Sequence, residues 1–310
     1  MNFPGDNADF GVVASLRELI ALRECVGTAA LLRLPLSALS SGSPAATLRS
    51  RGMEFAETRP YQTGDSMRTV DWRQTARRGR LYTKLFEQEH ERQVRLLIDL
   101  GTSMRFGTRV AFKSVVAARA AALLAWTAVG AGERVSGLVW DGDVQHDIRP
   151  RNRRYGALPL LHCLAAASAS VPAAREATLT VPLRTLANNL QPGSLTVLIS
   201  DFAPLDVETE RRLAALARST ELVLMQVYDI FEAEPPPGCY RLTDGRRHLT
   251  LDLRSAAARA AYSSAFAARR SALEQLAQRS GATWVPLATH VEPQRVLSCL
   301  PGFSVKRHAA

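Results

Sequence analysis

The chain has 310 residues, of which 46% are hydrophobic and 22% are charged. These proportions exclude a disordered chain, and the length allows one large domain or two modest ones. The net charge of +10 favours an acidic partner, but the arginines are spread along the whole sequence, so we do not expect nucleic acid as that partner.

Cysteine usage and hydropathy indicate where the protein works. Cys25, Cys163, Cys239 and Cys299 are far apart and lack the spacing of a zinc site, which is typical of a reducing compartment. The N-terminus lacks a basic segment followed by an apolar core, so we expect no signal peptide. The most apolar stretch, 120–130, is shorter than the roughly 20 residues of a membrane span. We therefore expect a cytoplasmic protein without a membrane span.

The first 91 residues differ in pattern from the rest. Apolar spacing predicts a helix over 12–34, and residues 35–50 are a connector rich in serine and proline. Residues 51–91 are rich in arginine and turn residues, which indicates an irregular layer that contains a β-hairpin. We predict that 1–91 packs on a main domain formed by 92–310.

From residue 93 onward, short apolar runs alternate with helical patterns. Strands are predicted at 94–99, 134–140, 194–200, 221–229 and 282–287, and helices at about 109–130, 155–168, 182–190, 206–218 and 255–280. Asp141-Gly142 predicts a hairpin whose second strand returns antiparallel at the sheet edge, and Asp244-Gly245 predicts another hairpin. The fold class is therefore α/β, a doubly wound, mostly parallel sheet of Rossmann-like type with helices on both faces.

Four of the predicted strands end in an aspartate. They are Asp99, Asp141, Asp201 and Asp229. Ligands of doubly wound sheets bind at the carboxyl ends of the strands, where the strand order reverses. Aspartate also caps turns and helices after strands, so each one alone has a simple structural explanation.

The loop after Asp99 and the segment around Asp201 carry further oxygen ligands. Asp99 is followed by Gly101, Thr102 and Ser103. This arrangement resembles the metal-ion-dependent adhesion site of von Willebrand factor A domains, whose first loop reads Asp-x-Ser-x-Ser. The resemblance implies Asp99, Ser103 and Asp201 as ligands of a possible Mg²⁺, which prefers oxygen, and the Gly101–Thr102 loop as a partner contact. Gly101 stands where the middle serine belongs, and the family's threonine near residue 155 is missing.

The arginine-rich segment carries a more specific pattern. Its motifs, in order, are Glu54-Phe55, Arg59-Pro60-Tyr61, Gly64-Asp65, Asp71-Trp72 and Ala76-Arg77. Together with the following strand and loop, they resemble the bacterial domain-of-unknown-function family 58 (DUF58) over about residues 45–205. That family is similar to von Willebrand A domains and is typically encoded beside MoxR-type AAA+ ATPases. The resemblance implies an adaptor or chaperone-like cofactor of such an ATPase.

Two groups of arginines allow two interpretations each. In the motif segment, Gly64, Asp65, Asp71, Trp72 and Arg77 form either a structural set with arginine–carboxylate ion pairs or a binding surface, and we favour the structural set. A second group forms either an exposed basic patch for a partner or a solvated loop. It consists of Arg149, Arg151, Arg153 and Arg154.

Phosphate-loop, nucleophile-elbow and HExxH motifs are absent from the sequence, so we expect a non-catalytic interaction protein. One alternative is a metal-dependent hydrolase, such as a nuclease, that uses Asp99, Asp201 and a third strand-end carboxylate. The other is a nucleic-acid binder that depends on its positive charge.

Overall fold

A computed structural model describes most of the chain. The described residues are 11–26, 53–62, 67, 70–88, 93–150, 155–170, 178–191, 193–243, 248–292 and 295. They belong to two compact units, one formed by Met1–Pro35 with Arg92–Ala310 and the other by Leu36–Glu91. The N-terminal helical segment is thus grouped with the larger unit.

The elements are numbered in chain order. The helices are α1 (Leu16–Ala21), α2 (Arg23–Val26), α3 (Trp72–Arg78), α4 (Lys113–Gly130), α5 (Leu158–Ala169), α6 (Thr180–Asn188), α7 (Val207–Ser219), α8 (Ile230–Ala233) and α9 (Ala256–Ser280). The strands are β1 (Met53–Pro60), β2 (Tyr82–Gln88), β3 (Gln93–Asp99), β4 (Arg134–Trp140), β5 (Gln145–Ile148), β6 (Leu195–Ser200), β7 (Glu221–Tyr228), β8 (Cys239–Thr243), β9 (His248–Asp252) and β10 (Thr283–Ala288).

The smaller unit contains an antiparallel pair, β1 with β2, and the short helix α3 between them in sequence. The carboxylate of Asp71 accepts hydrogen bonds from the backbone N–H groups of Arg73 and Gln74, at 3.0 and 3.1 Å, and so caps the start of α3. Gly79 ends the helix in the left-handed conformation. Trp72 and Arg77 are exposed on this helix. Asp71 therefore has a structural role within its own unit.

The larger unit is built on a six-stranded sheet with the order β10-β7-β6-β3-β4-β5. Neighbouring strands run parallel, except that β5 returns antiparallel to β4 at the edge. In chain order, β4 and β5 are added on one side of β3, and β6, β7 and β10 are then added on its other side. The strand order therefore reverses between β3 and β6, which confirms the predicted doubly wound, mostly parallel sheet.

Apolar side chains of the central strands are buried on both faces of the sheet. Val94, Leu96 and Ile98 of β3 pack with residues of α4 and α5, whereas Leu97 packs on the opposite face with residues of α6, α7 and α9. Because both faces are covered, buried apolar residues follow one another along these strands, as in Leu96-Leu97-Ile98 of β3.

Helix α4 is long and apolar enough to cross a membrane, judged by length and composition alone. However, 89% of it is buried inside the larger unit, where it lies against β3 and against α1, α2 and α5. This burial explains its composition, since a helix with neighbours on all sides is apolar all round.

The sequence predicts one helix over 12–34. Within 11–26 the segment forms the two short helices α1 and α2, and 27–34 lie outside the described part of the chain. The indole N–H of Trp126 donates a hydrogen bond of 3.0 Å to the backbone oxygen of Leu19, at the point where α1 gives way to α2. A side chain that donates a hydrogen bond to a backbone oxygen of a helix interrupts the series of backbone hydrogen bonds at that turn. Arg119 of α4 also pairs with Glu18 at 2.5 Å, which fixes α1 on the larger unit.

Candidate functional site

Asp99 and Asp201 lie at the point where the strand order reverses. Asp99 is the last residue of β3, and Asp201 directly follows β6, the parallel neighbour of β3. The hydroxyl of Ser200 donates a hydrogen bond of 2.6 Å to one oxygen of Asp99, and the N–H of Gly101 donates one of 2.9 Å to the other. We call this edge, with the loops that leave it, the carboxyl edge.

The Asp99 carboxyl has an unusual acidity. It is only 3% exposed, and burial raises its pKa to about 7, with a further contribution from the nearby charge of Asp201. The hydrogen bonds from Ser200 and Gly101 oppose this rise in pKa without cancelling it. Near neutral pH, Asp99 is therefore divided between its protonated and its charged form.

Asp201 is paired with a buried lysine. The ammonium nitrogen of Lys113, at the start of α4, lies 2.8 Å from Oδ2 of Asp201 and 3.1 Å from Oε1 of Glu232. Burial alone would lower the pKa of Lys113, but the charges of Asp201 and Glu232 outweigh it and raise the pKa. The lysine therefore stays charged, and it joins the end of β6 to helix α8.

Asp229, after β7, connects three loops of the same edge. It is fully buried and accepts hydrogen bonds from the hydroxyls of Thr108, at 2.5 Å, and Thr289, at 2.6 Å, as well as from the N–H of Phe231. Burial acts to raise its pKa, but these hydrogen bonds outweigh it and lower the pKa. Asp229 also forms a capping box with Glu232 on α8. Its role in the structure is to order the carboxyl edge.

Asp141, after β4, stabilises the turn of a hairpin. Its carboxylate accepts hydrogen bonds from the N–H groups of Asp143 and Val144, at 3.0 and 2.8 Å. This is the local turn chemistry that the Asp-Gly pair predicted.

The loop after Asp99 places its residues at different depths. Gly101 is buried, and a β-carbon there would lie 3.1 Å from Oδ1 of Asp99 and 3.6 Å from Cα of Gly142. A serine at this position would therefore crowd Asp99 unless its carboxylate moved by a few tenths of an ångström. Thr102 is half-buried and Ser103 is exposed, in a short 3-10 helix that leads away from the edge.

The residues of the carboxyl edge do not fit a Mg²⁺ site. Magnesium prefers near-octahedral coordination by oxygen atoms, whereas the positively charged ammonium of Lys113 lies 2.8 Å from Oδ2 of Asp201 and would repel a second cation there. Within the described ranges, His, Cys, Asp and Glu side chains form no group of three that could hold a metal ion.

Some predicted residues fall outside the described part of the chain. They are Gly64, Asp65, Arg151, Arg153 and Arg154. Of the second arginine group, the structure describes Arg149, which is exposed just after β5. The partner-binding role of this group therefore stays a prediction.

The sequence reasoning missed two residues that organise this edge, Lys113 and Glu232. A lysine at the start of an otherwise apolar helix was the available signal, because a lysine that is buried needs an acidic partner. The spacing of Asp229 and Glu232, which is that of a capping box, was the signal for the second.

A doubly wound sheet whose order reverses between two strand-end acids, with an antiparallel edge strand, defines a Rossmann-like α/β protein. The family model "Protein of unknown function DUF58" matches residues 57–272, and the chain belongs to this family. The predicted membership of this family is thus confirmed, although the match covers 57–272 and not about 45–205, and so leaves out Glu54-Phe55.

Several individual proteins are also similar to the chain. Uncharacterized proteins of Mycobacterium tuberculosis and Mycobacterium bovis are 29% identical over 185 residues, which is 60% of this chain. The match spans 58% of the length of these relatives. Among solved structures, BatB from Bacteroides thetaiotaomicron has a TM-score of 0.43 at 13% identity, covering 67% of this chain and 95% of that one. A von Willebrand factor type A protein from Catenulispora acidiphila has a TM-score of 0.31 at 12% identity, covering 47% and 35%.

Proposed function

We propose that this protein is a non-catalytic interaction protein that binds its partner through the carboxyl edge of the six-stranded sheet. The supporting observation is the contrast between the interior and the exterior of this edge. Inside, Lys113 and the acids hold the loops together. Outside, Val110 and Val144 are 48% and 49% exposed, on the loops that follow β3 and β4, and Ser103, also in the loop after β3, is exposed. A rigid rim with exposed apolar side chains suits protein binding.

The hydrogen bonds of the strand-end acids favour this function over a metal-dependent hydrolase. A hydrolase needs carboxylates that converge on one metal ion and leave a position open for water. Asp141 and Asp229 instead accept hydrogen bonds from their own loops, and Asp201 is held by Lys113.

The partner we propose is a MoxR-type AAA+ ATPase, in the cytoplasm, with the chain acting as its adaptor in assembly or maturation. Membership of the DUF58 family supports this choice, because the family is typically encoded beside such ATPases. The exposed rim is the surface that the ATPase would contact, and the burial of α4 inside the larger unit agrees with a chain that works in water.

Biolayer interferometry with the purified MoxR-type ATPase of the same genome tests this function. We expect Val110→Asp and Val144→Asp each to weaken binding about tenfold or more, because a charge replaces an exposed apolar contact. Ala131→Asp is the matched control, since Ala131 is exposed in the turn before β4 at the opposite edge of the sheet.

Equal affinity of all three variants and the wild type would contradict the proposed surface. Binding to DNA with a steep dependence on salt, and none to the ATPase, would favour the nucleic-acid alternative instead.

A further inference from the structure

The carboxyl edge contains a buried, positively charged side chain, Lys113. Lys113 is 2% exposed and belongs to the first turn of α4, which directly faces the ends of β3 and β6. Lysine is almost never fully buried unless it is paired. Here its ammonium nitrogen contacts carboxylate oxygens of both Asp201 and Glu232, and it also lies 5.8 Å from the ring centre of Phe106. The edge therefore carries its own compensating charge.

The hydrogen bonds of the three acids account for all six carboxylate oxygens. The oxygens of Asp99 accept from the N–H of Gly101 and the hydroxyl of Ser200. Those of Asp201 accept from Lys113 and from the N–H of Ala203.

The third acid follows the same pattern. One oxygen of Glu232 accepts from Lys113, and the other accepts from the N–H of Asp229. Each of the six oxygens thus has a donor from the chain itself, and only one of these donors, the ammonium of Lys113, is a full positive charge.

We infer that the ammonium of Lys113 takes the place that a divalent cation holds in metal-ion-dependent adhesion sites, so that this edge is ordered without metal. Gly101, crowded against Asp99, and Ser103, exposed at the surface, agree with this substitution, since neither hydroxyl of the adhesion motif lies among the buried acids. The lysine offsets one negative charge and occupies an oxygen of Asp201 and one of Glu232, so a carboxylate from outside would face the negative charge that remains.

This substitution has a consequence for recognition, which rests on the proposed function. In adhesion sites, a carboxylate of the partner completes the coordination of the metal. Lys113 is inaccessible and already bound by two carboxylates. The partner would therefore bind the outer surface of the loops through apolar and hydrogen-bonding contacts, and its affinity would not depend on Mg²⁺ or Mn²⁺.

Removal of the ammonium tests the inference on the chain alone, without any partner. Lys113→Ala frees one oxygen of Asp201 and one of Glu232, together with the space of the lysine side chain. These carboxylates can then turn toward a metal ion, which their arrangement around Lys113 does not allow. We expect this variant to unfold at a lower temperature than the wild type and to gain about 5 °C or more when millimolar Mn²⁺ is added. The unfolding temperature of the EDTA-treated wild type should not change with Mn²⁺.

Arg95→Ala is the matched control. Arg95 is also buried, and its guanidinium pairs with a single acid, Asp147, at 2.9 Å. We expect this variant to lose stability without any recovery by Mn²⁺, because one carboxylate does not make a metal site.

Mn²⁺ binding by the wild type, measured as loss of the free-ion signal in electron paramagnetic resonance and abolished by Asp201→Asn, would overturn the inference. So would a folded Lys113→Ala chain that gains no response to Mn²⁺. If Lys113→Ala does not fold, the wild-type resonance measurement decides the question alone. A wild type that binds no Mn²⁺ but also fails to bind the ATPase would contradict the proposed partner and leave the role of Lys113 intact.

Discussion

Replacing Asp99 with asparagine should change how the stability of the protein depends on pH. Burial, and then the charge of Asp201, raise the pKa of Asp99 from 3.8 to about 7 in the folded state. Between about pH 4 and pH 7 the folded chain therefore keeps a proton that the unfolded chain has released, so the free energy of unfolding falls as the pH rises through this window. A rise in pKa of this size corresponds to a loss of at most about 4 kcal/mol above pH 7.

An asparagine has the shape and hydrogen-bonding capacity of the protonated carboxyl. Its oxygen can accept from the N–H of Gly101, and its amide can donate to the hydroxyl oxygen of Ser200, the two groups that contact Asp99. We expect Asp99→Asn to match the wild type near pH 4 and to exceed its free energy of unfolding by up to about 4 kcal/mol at pH 8.

Urea unfolding followed by circular dichroism, at a series of pH values from 4 to 8, measures this difference. Asp229→Asn is the control, because hydrogen bonds from Thr108 and Thr289 hold the pKa of Asp229 below its usual value despite its burial. Because the pKa of Asp229 is lowered in the folded state, its charged carboxylate stabilises the fold between about pH 4 and pH 8. Asp229→Asn should therefore lower the free energy of unfolding almost equally at every pH in this range. If the wild type and Asp99→Asn follow parallel curves, the assignment of a near-neutral pKa to Asp99 is refuted.

The remaining predictions concern the packing of the larger unit. Arg119→Met should lower the free energy of unfolding by about 3 kcal/mol, because it leaves the half-buried Glu18 without its ion pair. Adding Glu18→Leu should restore most of this loss. If urea unfolding of the double variant shows no such recovery, the Arg119–Glu18 pairing is contradicted. Gly107→Ala should destabilise by about 1–3 kcal/mol, since its β-carbon would lie 2.2 Å from the backbone oxygen of Ala111. Gly130→Ala, where the β-carbon meets no atom within 4 Å, is its control in thermal unfolding and should be neutral or stabilising.

The sequence predicted the sheet well, because its signals are local. The apolar run that ends in Asp99 forms a central strand, and the Asp141-Gly142 pair forms the hairpin that sends β5 back along the edge. Both follow from rules that need only neighbouring residues, namely burial on two faces and turn chemistry. The course of the N-terminal segment depends instead on Trp126, over 100 residues away, and no local pattern shows that contact.

The candidate site was predicted in part for the same reason. The strand ends placed Asp99 and Asp201 at the reversal of strand order, since parallel strands bring their carboxyl ends to one edge. The lysine between Asp201 and Glu232 was not predicted, because its contacts join residues that are far apart in sequence. Lys113 is on α4, Asp201 follows β6 and Glu232 is on α8. The spacing of the adhesion motif predicts a metal ion and gives no indication of Lys113 beside Asp201.

Anomalous diffraction from crystals grown with millimolar MnCl₂ tests most directly whether Lys113, and not a metal ion, is the cation of the carboxyl edge. We predict no manganese peak within bonding distance of Asp99 or Asp201, with the ammonium of Lys113 between Asp201 and Glu232 as described above. A manganese peak bonded to Asp201, with the Lys113 side chain displaced from it, would contradict the account.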